Sequence, residues 1–578
     1  MVEDSAAMRA GRLVRRALRP KTLLIVVLAI AFLAGAGAIY ASLGSGTPSP
    51  IFSDVTKAAG IDYVQDASPD CGDWQECGPE IMSGGAAAGD FDGDGNLDLA
   101  VTRIDEPPIL YRNRGDGSFE DVSVKSGLGG PSGHLGTSGV VFGDIDNNGC
   151  PDIYMTRVRK AHHVLYMSDC KGHFSEEAVA RNATPVDETS KVFGQGVTLG
   201  DYDRDGYLDI FVSEWRFRKA GVVGESHNRL LRNRGQAAPG QFDDVTAKAG
   251  INFEGRSPVG GHNGIFGFAP AFVDLDDDGY QDLAVAADFG SSGLWWNNTD
   301  GTFTDGTKSS GVGSDENGMG STFGDFDLDG RLDWFVTSIF DDCMPGQCDH
   351  MFGITGNRLY RNDGNRSFSD FTDRANVRDG AWGWGASFFD ADNDGDLDIA
   401  HTSGFHVLGE DRYEKFRSNP TFLQVNDGKG HFTDLAAKAG VRDTVEGRGL
   451  VTFDYDNDGD LDLLVIQRRD QPRLFRNETS VGAWLKVRLR GYGPKSTPEA
   501  VGARVLVTRA AGKTPMLREV GMRDNYLGQD PLEAHFGLGQ SRANVAEVRV
   551  TWPSGCVQTL TDVRSNQVLA LDEASCGR

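Results

Sequence analysis

Residues 90–98 read DFDGDGNLD, and six later stretches repeat the pattern: DIDNNGCPD at 144–152, DYDRDGYLD at 201–209, DLDDDGYQD at 274–282, DFDLDGRLD at 325–333, DADNDGDLD at 390–398 and DYDNDGDLD at 454–462. All fit D-x-[DN]-x-[DN]-G-x-x-D. A tight loop of this spacing can aim the side chains at its first, third and fifth positions at one centre. Glycine at position six permits a left-handed turn, position seven offers a carbonyl oxygen, and the aspartate at position nine closes the shell. Six or seven hard oxygens at roughly 2.4 Å suit Ca²⁺ better than Zn²⁺ or a redox metal, and better than Mg²⁺, which prefers a strict octahedron with retained water.

The candidate ligands are Asp90, Asp92, Asp94, Asn96 and Asp98 in the first loop, and Asp144, Asp146, Asn148, Cys150 and Asp152 in the second. The third has Asp201, Asp203, Asp205, Tyr207 and Asp209; the fourth has Asp274, Asp276, Asp278, Tyr280 and Asp282. The fifth has Asp325, Asp327, Asp329, Arg331 and Asp333; the sixth has Asp390, Asp392, Asp394, Asp396 and Asp398. The seventh has Asp454, Asp456, Asp458, Asp460 and Asp462. Position seven counts through its backbone, so the Cys150 thiol need not touch an ion. Asn148 replaces a carboxylate, which predicts the weakest site in the second loop. Up to seven Ca²⁺ ions are expected.

An EF-hand would place glutamate at position twelve, where this chain has Val101, Met155, Val212, Val285, Val336, His401 and Val465. Runs such as LDLAVT and LDIFVS follow instead, alternating as a strand does. Gln281 is the polar exception at position eight.

A second phrase also recurs seven times: FSDVTKAAGI at 52, FEDVSVKSGL at 119, FSEEAVARNA at 174, FDDVTAKAGI at 242, FTDGTKSSGV at 303, FSDFTDRANV at 368 and FTDLAAKAGV at 432. The first copy precedes the first acidic loop, and none follows the last. This shifted register predicts a closed ring in which the N-terminal phrase completes the last unit and removes an open edge. Loop starts lie 54, 57, 73, 51, 65 and 64 residues apart, periods that suit four-strand blades. The expected fold is all-β: a seven-bladed β-propeller over 51–480, then a small β-sandwich-like domain over 481–578. Glycine-rich stretches such as SGGAAAGD before each loop let strands crowd near the axis. Arg114, Gly115 and Asp116 spell an adhesion tripeptide, but sit where other repeats also carry a polar glycine turn, and read as a hairpin.

With these motifs in place, residues 51 to about 480 resemble the FG-GAP or VCBS-type repeats of integrin-α-like propellers. The series WLKVRLRG, VGARVLVT, HFGLG, VRVTWPSG and NQVLALDE between Trp484 and Glu573 resembles the ASPIC/UnbV domain. Together they are similar to the cartilage acidic protein family and its bacterial relatives. That resemblance implies an extracellular or extracytoplasmic calcium-binding protein with an adhesion or matrix role and no firmly attached reaction.

The N-terminus bears on location independently. Residues 1–21 form a basic segment containing Arg9, Arg12, Arg15, Arg16, Arg19 and Lys21, and 22–43 are uncharged and apolar. Such an order places the start in the cytoplasm and the rest across the membrane. A retained signal anchor is expected, with a signal peptide cleaved near Ala34–Gly37 as the alternative. GSGTPSP at 44–50 is a tether. The eight cysteines fall into near neighbours, Cys71 with Cys77, Cys150 with Cys170, Cys343 with Cys348 and Cys556 with Cys576, which predicts four local disulfides in an oxidising compartment.

The net charge of −27 would fall to −13 with seven divalent cations, so much of the acidity is ligand inventory. An acidic chain of this kind excludes nucleic acid as a partner. Two basic clusters, Arg157, Arg159, Lys160 and Arg216, Arg218, Lys219, read as solvated connection charges. Long connections at 213–228, 337–357 and 402–420 carry Trp215, Asp341, Asp342, His350, His406 and Tyr413, a mixture suited to a ligand face. Trp382 and Trp384 read as interblade packing. Two functions follow: a membrane-tethered calcium-stabilised recognition or adhesion module for an extracellular protein or glycan, or an extracytoplasmic hydrolase-like enzyme using the central funnel. The latter would recruit His350 or His406 with Asp341, and His162 and His163. No catalytic spacing supports it.

Overall fold

The computed structural model describes residues 49–577, except 66–73, 130–132, 186–191, 218–226, 252, 254–263, 343–352, 408–410, 480–481 and 542. Residues from 49 onward form one compact unit. The expected membrane segment at 22–43 lies outside the described residues, among which no helix is long and apolar enough to cross a membrane.

The chain is all-β with few helices, most of them single turns. Four-stranded antiparallel meanders occupy 86–121, 137–176, 192–244, 264–305, 321–370 and 383–434, and a last one is built from 447–477. The last has only three strands of its own. Its fourth is the N-terminal strand Phe52–Asp54, which pairs Phe52 with Asn477 and Asp54 with Phe475. The innermost strands contact one another in chain order, and Gly447–Phe453 returns to touch Ala86–Gly89. This is a propeller-like arrangement.

Local chemistry explains each unit. In every meander the second strand begins at position nine of the acidic loop, as in Asp98–Val101, Asp209–Phe217 and Asp462–Gln467. The recurring F-x-D phrase forms the outer strand and the turn after it. Asp54 Oδ1 accepts from the Thr56 amide and hydroxyl, and Thr56 Oγ1 in turn accepts from the Leu474 amide, docking the turn on its neighbour strand. The Arg114–Asp116 tripeptide is a hairpin turn, with Asp116 accepting from Ser118 and Gly115 at φ 71°.

Asparagines at the end of the third strand fasten neighbouring meanders. Asn113 donates to Leu97 O at 3.0 Å in its own loop and to Tyr455 O at 2.8 Å in the last meander. Asn233, Asn297, Asn362, Asn426 and Asn477 repeat this bridge to Ile145, Tyr202, Leu275, Phe326 and Ala391. Gln281 is polar for a related reason: its Oε1 accepts from the Asp201 amide of the preceding meander at 3.1 Å.

The C-terminal module has two sheets, one of three strands around Ala483–Arg490 and one of four around Arg504–Thr508 and Val545–Thr551. Leu485, Val487, Val505, Phe536, Val548 and Trp552 are fully buried between them. Between these sheets the chain leaves the module and enters the axis of the meander array. Leu199 N and Thr198 Oγ1 donate to Met522 O, Val197 N to Asp524 Oδ2, Val140 N to Leu527 O, Ala88 N to Gln529 O, Ala386 N to Asn525 O and Thr452 N to Asp530 Oδ1. Tyr526, wholly buried, reaches through to Met82 O at 2.8 Å. The fit is close: a Cβ on Gly85 would lie 1.9 Å from Leu527 O, and one on Gly528 2.2 Å from Ala86 O. Small residues at the axis therefore make room for this segment as well as for one another.

Candidate metal loops and the axial plug

Each acidic loop is wound by its own backbone. Asp90 Oδ2 accepts from the Gly95 amide at 2.9 Å, and the same bond joins Asp144 to Gly149, Asp201 to Gly206, Asp274 to Gly279, Asp325 to Gly330, Asp390 to Gly395 and Asp454 to Gly459. Position six is left-handed throughout, from φ 84° at Gly206 to 101° at Gly395. Position four is left-handed too, even where it is Arg204, Asp277 or Leu328, at roughly 1–2 kcal/mol for each side chain. The position-seven amide donates to position five, as from Asn96, Cys150, Tyr207, Tyr280, Arg331, Asp396 and Asp460. Two position-seven side chains add to this bond, Asn96 Nδ2 donating to Asp94 Oδ1 and Arg331 to Asp329 Oδ2. Position nine takes two backbone amides in most loops, as where Asp98 accepts from Phe91 and from Asn113, while Asp209 accepts from Asn233 alone.

Ligand atoms from positions one, three and nine lie within 4.8 Å of one another in Asp90/Asp92/Asp98, Asp144/Asp146/Asp152, Asp201/Asp203/Asp209 and Asp274/Asp276/Asp282. Several of these oxygens are buried without a hydrogen-bond donor: Asp146 Oδ1, Asp203 Oδ1, Asp209 Oδ2, Asp274 Oδ1, Asp327 Oδ1, both oxygens of Asp392, and Asp456 Oδ1. A buried carboxylate oxygen without a partner is costly unless a cation faces it. Burial, and after it the neighbouring carboxylates, moves these groups upward against the opposing pull of backbone amides: Asp98 and Asp152 to about 8, Asp274 and Asp325 to about 7, Asp144 to about 6. Asp209, Asp282, Asp333, Asp398 and Asp462 are likewise raised well above the ordinary carboxylate range, chiefly by burial. The donor set fits a hard divalent cation, with Asp oxygens at positions one, three and nine, Asp or, in the second loop, Asn148 at five, and the carbonyl at seven.

Arginines brace the outer edges of some loops. Arg112 bonds Asp92 and Asp94, Arg232 bonds Asp203 at 2.5 Å and Asp205 at 3.0 Å, and Arg361 bonds Asp327 at 2.6 Å and Asp329 at 3.0 Å. These guanidinium groups take Oδ2 of Asp203 and Asp327 and leave Oδ1 buried and unbonded. These arginines lie outside the nine-residue pattern, in the dipeptides Arg112-Asn113, Arg232-Asn233 and Arg361-Asn362, each of which carries both the brace and the asparagine fastener.

The C-terminal module lies over the acidic loops. Lys486 Nζ sits 2.7 Å from Asp454 Oδ2, both buried, Arg488 donates to Gly95 O, Arg504 pairs with Asp277, Arg509 donates to Asp394 O and Gly537 N to Asp390 Oδ2 at 3.1 Å.

Several sequence expectations change on the opposite face. Trp215 and Tyr413 are not displayed but buried, in an aromatic cluster with Phe266, Phe268, Trp382, Trp384, Phe405 and Tyr526. Trp382 stacks on Phe405 at 4.3 Å, which is packing as expected. Asp341 pairs with Lys415, and His406 Nε2 lies 3.3 Å from Glu414, so each is engaged separately; Asp342 is an exposed residue, and His350 lies outside the described residues. The central funnel invoked for a hydrolase is filled by 520–531. Arg157 is a buried strand residue donating to Leu135 O and His162 O, and Arg159, Lys160 and Arg216 also belong to strands rather than connections; Arg218 and Lys219 lie outside the described residues. Disulfides join Cys150 to Cys170 and Cys556 to Cys576. Cys71, Cys343, Cys348 and the Cys77 side chain lie outside what is described.

Fold and loops together define a class: a repeat protein with acidic loops capped by a C-terminal β module. Residues 90–155, 274–336 and 351–401 match the model of the FG-GAP-like repeat, and 493–578 match that of ASPIC and UnbV. The chain is related to cartilage acidic protein 1, being 25% identical to the Homo sapiens protein over 538 residues, 89% of this chain and 73% of that one. The Mus musculus protein is likewise 25% identical, over 540 residues, 89% of this chain and 75% of that one. Among solved structures, an Agrocybe aegerita lectin described for recognition of non-reducing terminal N-acetylglucosamine matches at TM-score 0.38 and 15% identity, covering 68% of this chain and 93% of that one.

Proposed function

We propose that this chain is an extracytoplasmic, membrane-tethered protein whose meanders are the blades of a closed seven-bladed propeller, that binds Ca²⁺ at up to seven acidic loops, and that serves as a recognition or adhesion module for a protein or glycan. The observation that carries the calcium reading is the set of buried, unbonded carboxylate oxygens inside the loops. A divalent cation satisfies them and offsets the mutual repulsion of the aspartates. Extracellular modules of this kind work near millimolar calcium, which agrees with disulfides and with relatives named cartilage acidic protein 1. Tethering rests on the basic and apolar order of residues 1–43.

Recognition is favoured over catalysis because the axis is filled by 520–531 and, of the residues in the enzyme reading, Asp341 and His406 are engaged with separate partners. The connections that vary in length remain as the surface on which a partner could be read. Equilibrium dialysis with ⁴⁵Ca²⁺ should find several ions per chain, and capture from an envelope or matrix extract should recover a partner in calcium but not in chelator. A chain that retains no calcium at millimolar concentration would sink the metal reading. Calcium binding with equal capture in chelator would sink calcium-dependent recognition alone.

A further inference from the structure

We propose a second metal site, for Zn²⁺ or a similar borderline cation, formed by His134, His162 and Glu176 in the second meander. Their ligand atoms lie within 4.8 Å of one another, and all three side chains are half-buried. Three separate segments supply them: the approach to strand Thr137–Gly143, the turn after strand Asp152–Lys160, and the end of strand Phe174–Glu176. The site is thus distinct from the acidic loops in place and in donor type. Two imidazoles and one carboxylate are a poor set for Ca²⁺, which takes oxygen, and a good one for Zn²⁺, whose three-ligand sites leave a fourth position to water.

The surroundings hold these donors in place. Tyr166 OH lies 3.2 Å from His134 Nδ1, the kind of outer hydrogen bond that fixes a ligating imidazole. Glu176 Oε1 accepts from the Ala178 amide at 2.8 Å, which orients the carboxylate and leaves its other oxygen available. Arg157 donates to Leu135 O at 2.9 Å and His162 O at 3.3 Å, bracing the backbone beside both histidines. Its charge opposes a bare dication and favours an anionic fourth ligand such as hydroxide or a carboxylate. The adjacent His163 is excluded: it is buried, accepts from the Arg157 amide through Nδ1, and faces Glu214. The His-His pair of the sequence is therefore divided between a structural and a ligating imidazole.

The test is Zn²⁺ binding to the full chain in millimolar calcium, which keeps the acidic loops occupied, with Co²⁺ as a spectroscopic probe. One Zn²⁺ per chain and a tetrahedral Co²⁺ absorption are expected. His162→Ala and Glu176→Gln should each weaken binding about tenfold or more, while His406→Ala leaves it unchanged and calcium-dependent melting is the same in all. Absence of Zn²⁺ from the wild-type chain, or equal binding by His162→Ala and Glu176→Gln, would overturn the site.

Discussion

The first and sixth acidic loops share one motif but not one environment. In the first, Asp92 and Asp94 are exposed and braced by Arg112. In the sixth, Asp390, Asp392 and Asp398 are all buried, no arginine bonds the Asp392 side chain, and both its oxygens lack a donor. The C-terminal module covers this loop, with Gly539 N donating to Asn393 O at 2.7 Å and Gly537 N to Asp390. The contrast separates two properties the motif confounds. Nine residues specify where ligands point, while neighbours decide how much of their charge is already balanced. The braced loop has Arg112 to balance its aspartates, whereas both oxygens of Asp392 in the covered loop stand without a donor, so the calcium proposed above should matter more there.

The most drastic way to probe the contrast is to remove calcium altogether. Each site filled at about 100 times its dissociation constant contributes about 2.7 kcal/mol, so a chelator should lower the melting temperature by about 10 °C or more. An unchanged melt at neutral pH would remove the basis for the comparison.

Single loops come next. Asp392→Ala should abolish about 2–3 kcal/mol of the calcium-dependent increment yet raise the melting temperature in chelator, because it deletes an unpaired buried carboxylate. Asp92→Ala should take a smaller increment and give no such gain, since Asp92 is exposed and already balanced by Arg112, which keeps Asp94 as a partner. Calorimetry of both variants with and without calcium reads the difference directly.

Acidity sharpens it further. Burial and then Asp394 raise Asp392 to about 7, and burial raises Asp394 to about 6. A carboxyl raised on folding favours the native state while protonated, and that contribution is lost as pH rises through the folded value. In chelator, stability should therefore fall between about pH 4 and pH 7; in calcium the ions hold the carboxylates charged and the slope should flatten. A chelated protein that grows more stable across this window contradicts the assignment. The smallest effect is expected from Arg112→Ala, a half-exposed pair worth about 0.3–1 kcal/mol, visible only in chelator and absent from the sixth loop.

Much of the architecture is legible because it rests on local chemistry. The position-nine aspartates begin strands, and the F-x-D phrase supplies both an outer strand and its hydroxyl-capped turn, as its composition implies. Strand Phe52–Asp54 completes the last meander, the pairing that the shifted register requires. Asn113, Asn233, Asn362 and Asn477 stand in a repeated RN dipeptide, but reading the asparagine fasteners needs the neighbouring carbonyl, 95 residues away for Asn297 to Tyr202 and 342 away for Asn113 to Tyr455. Trp215 and Tyr413 were misplaced because a long connection rich in aromatics looks the same whether it faces solvent or packs on itself.

The sequence by itself determined the repeating unit, its ligand types and its order, since backbone turns and strand alternation depend on residues within a few positions. Tertiary structure alone decided the rest. It sent 520–531 along the axis, laid Lys486 and Arg504 over acidic loops, and parted His162 from His163. These outcomes depend on charge and shape meeting across hundreds of residues, where no local pattern records which group will stand opposite.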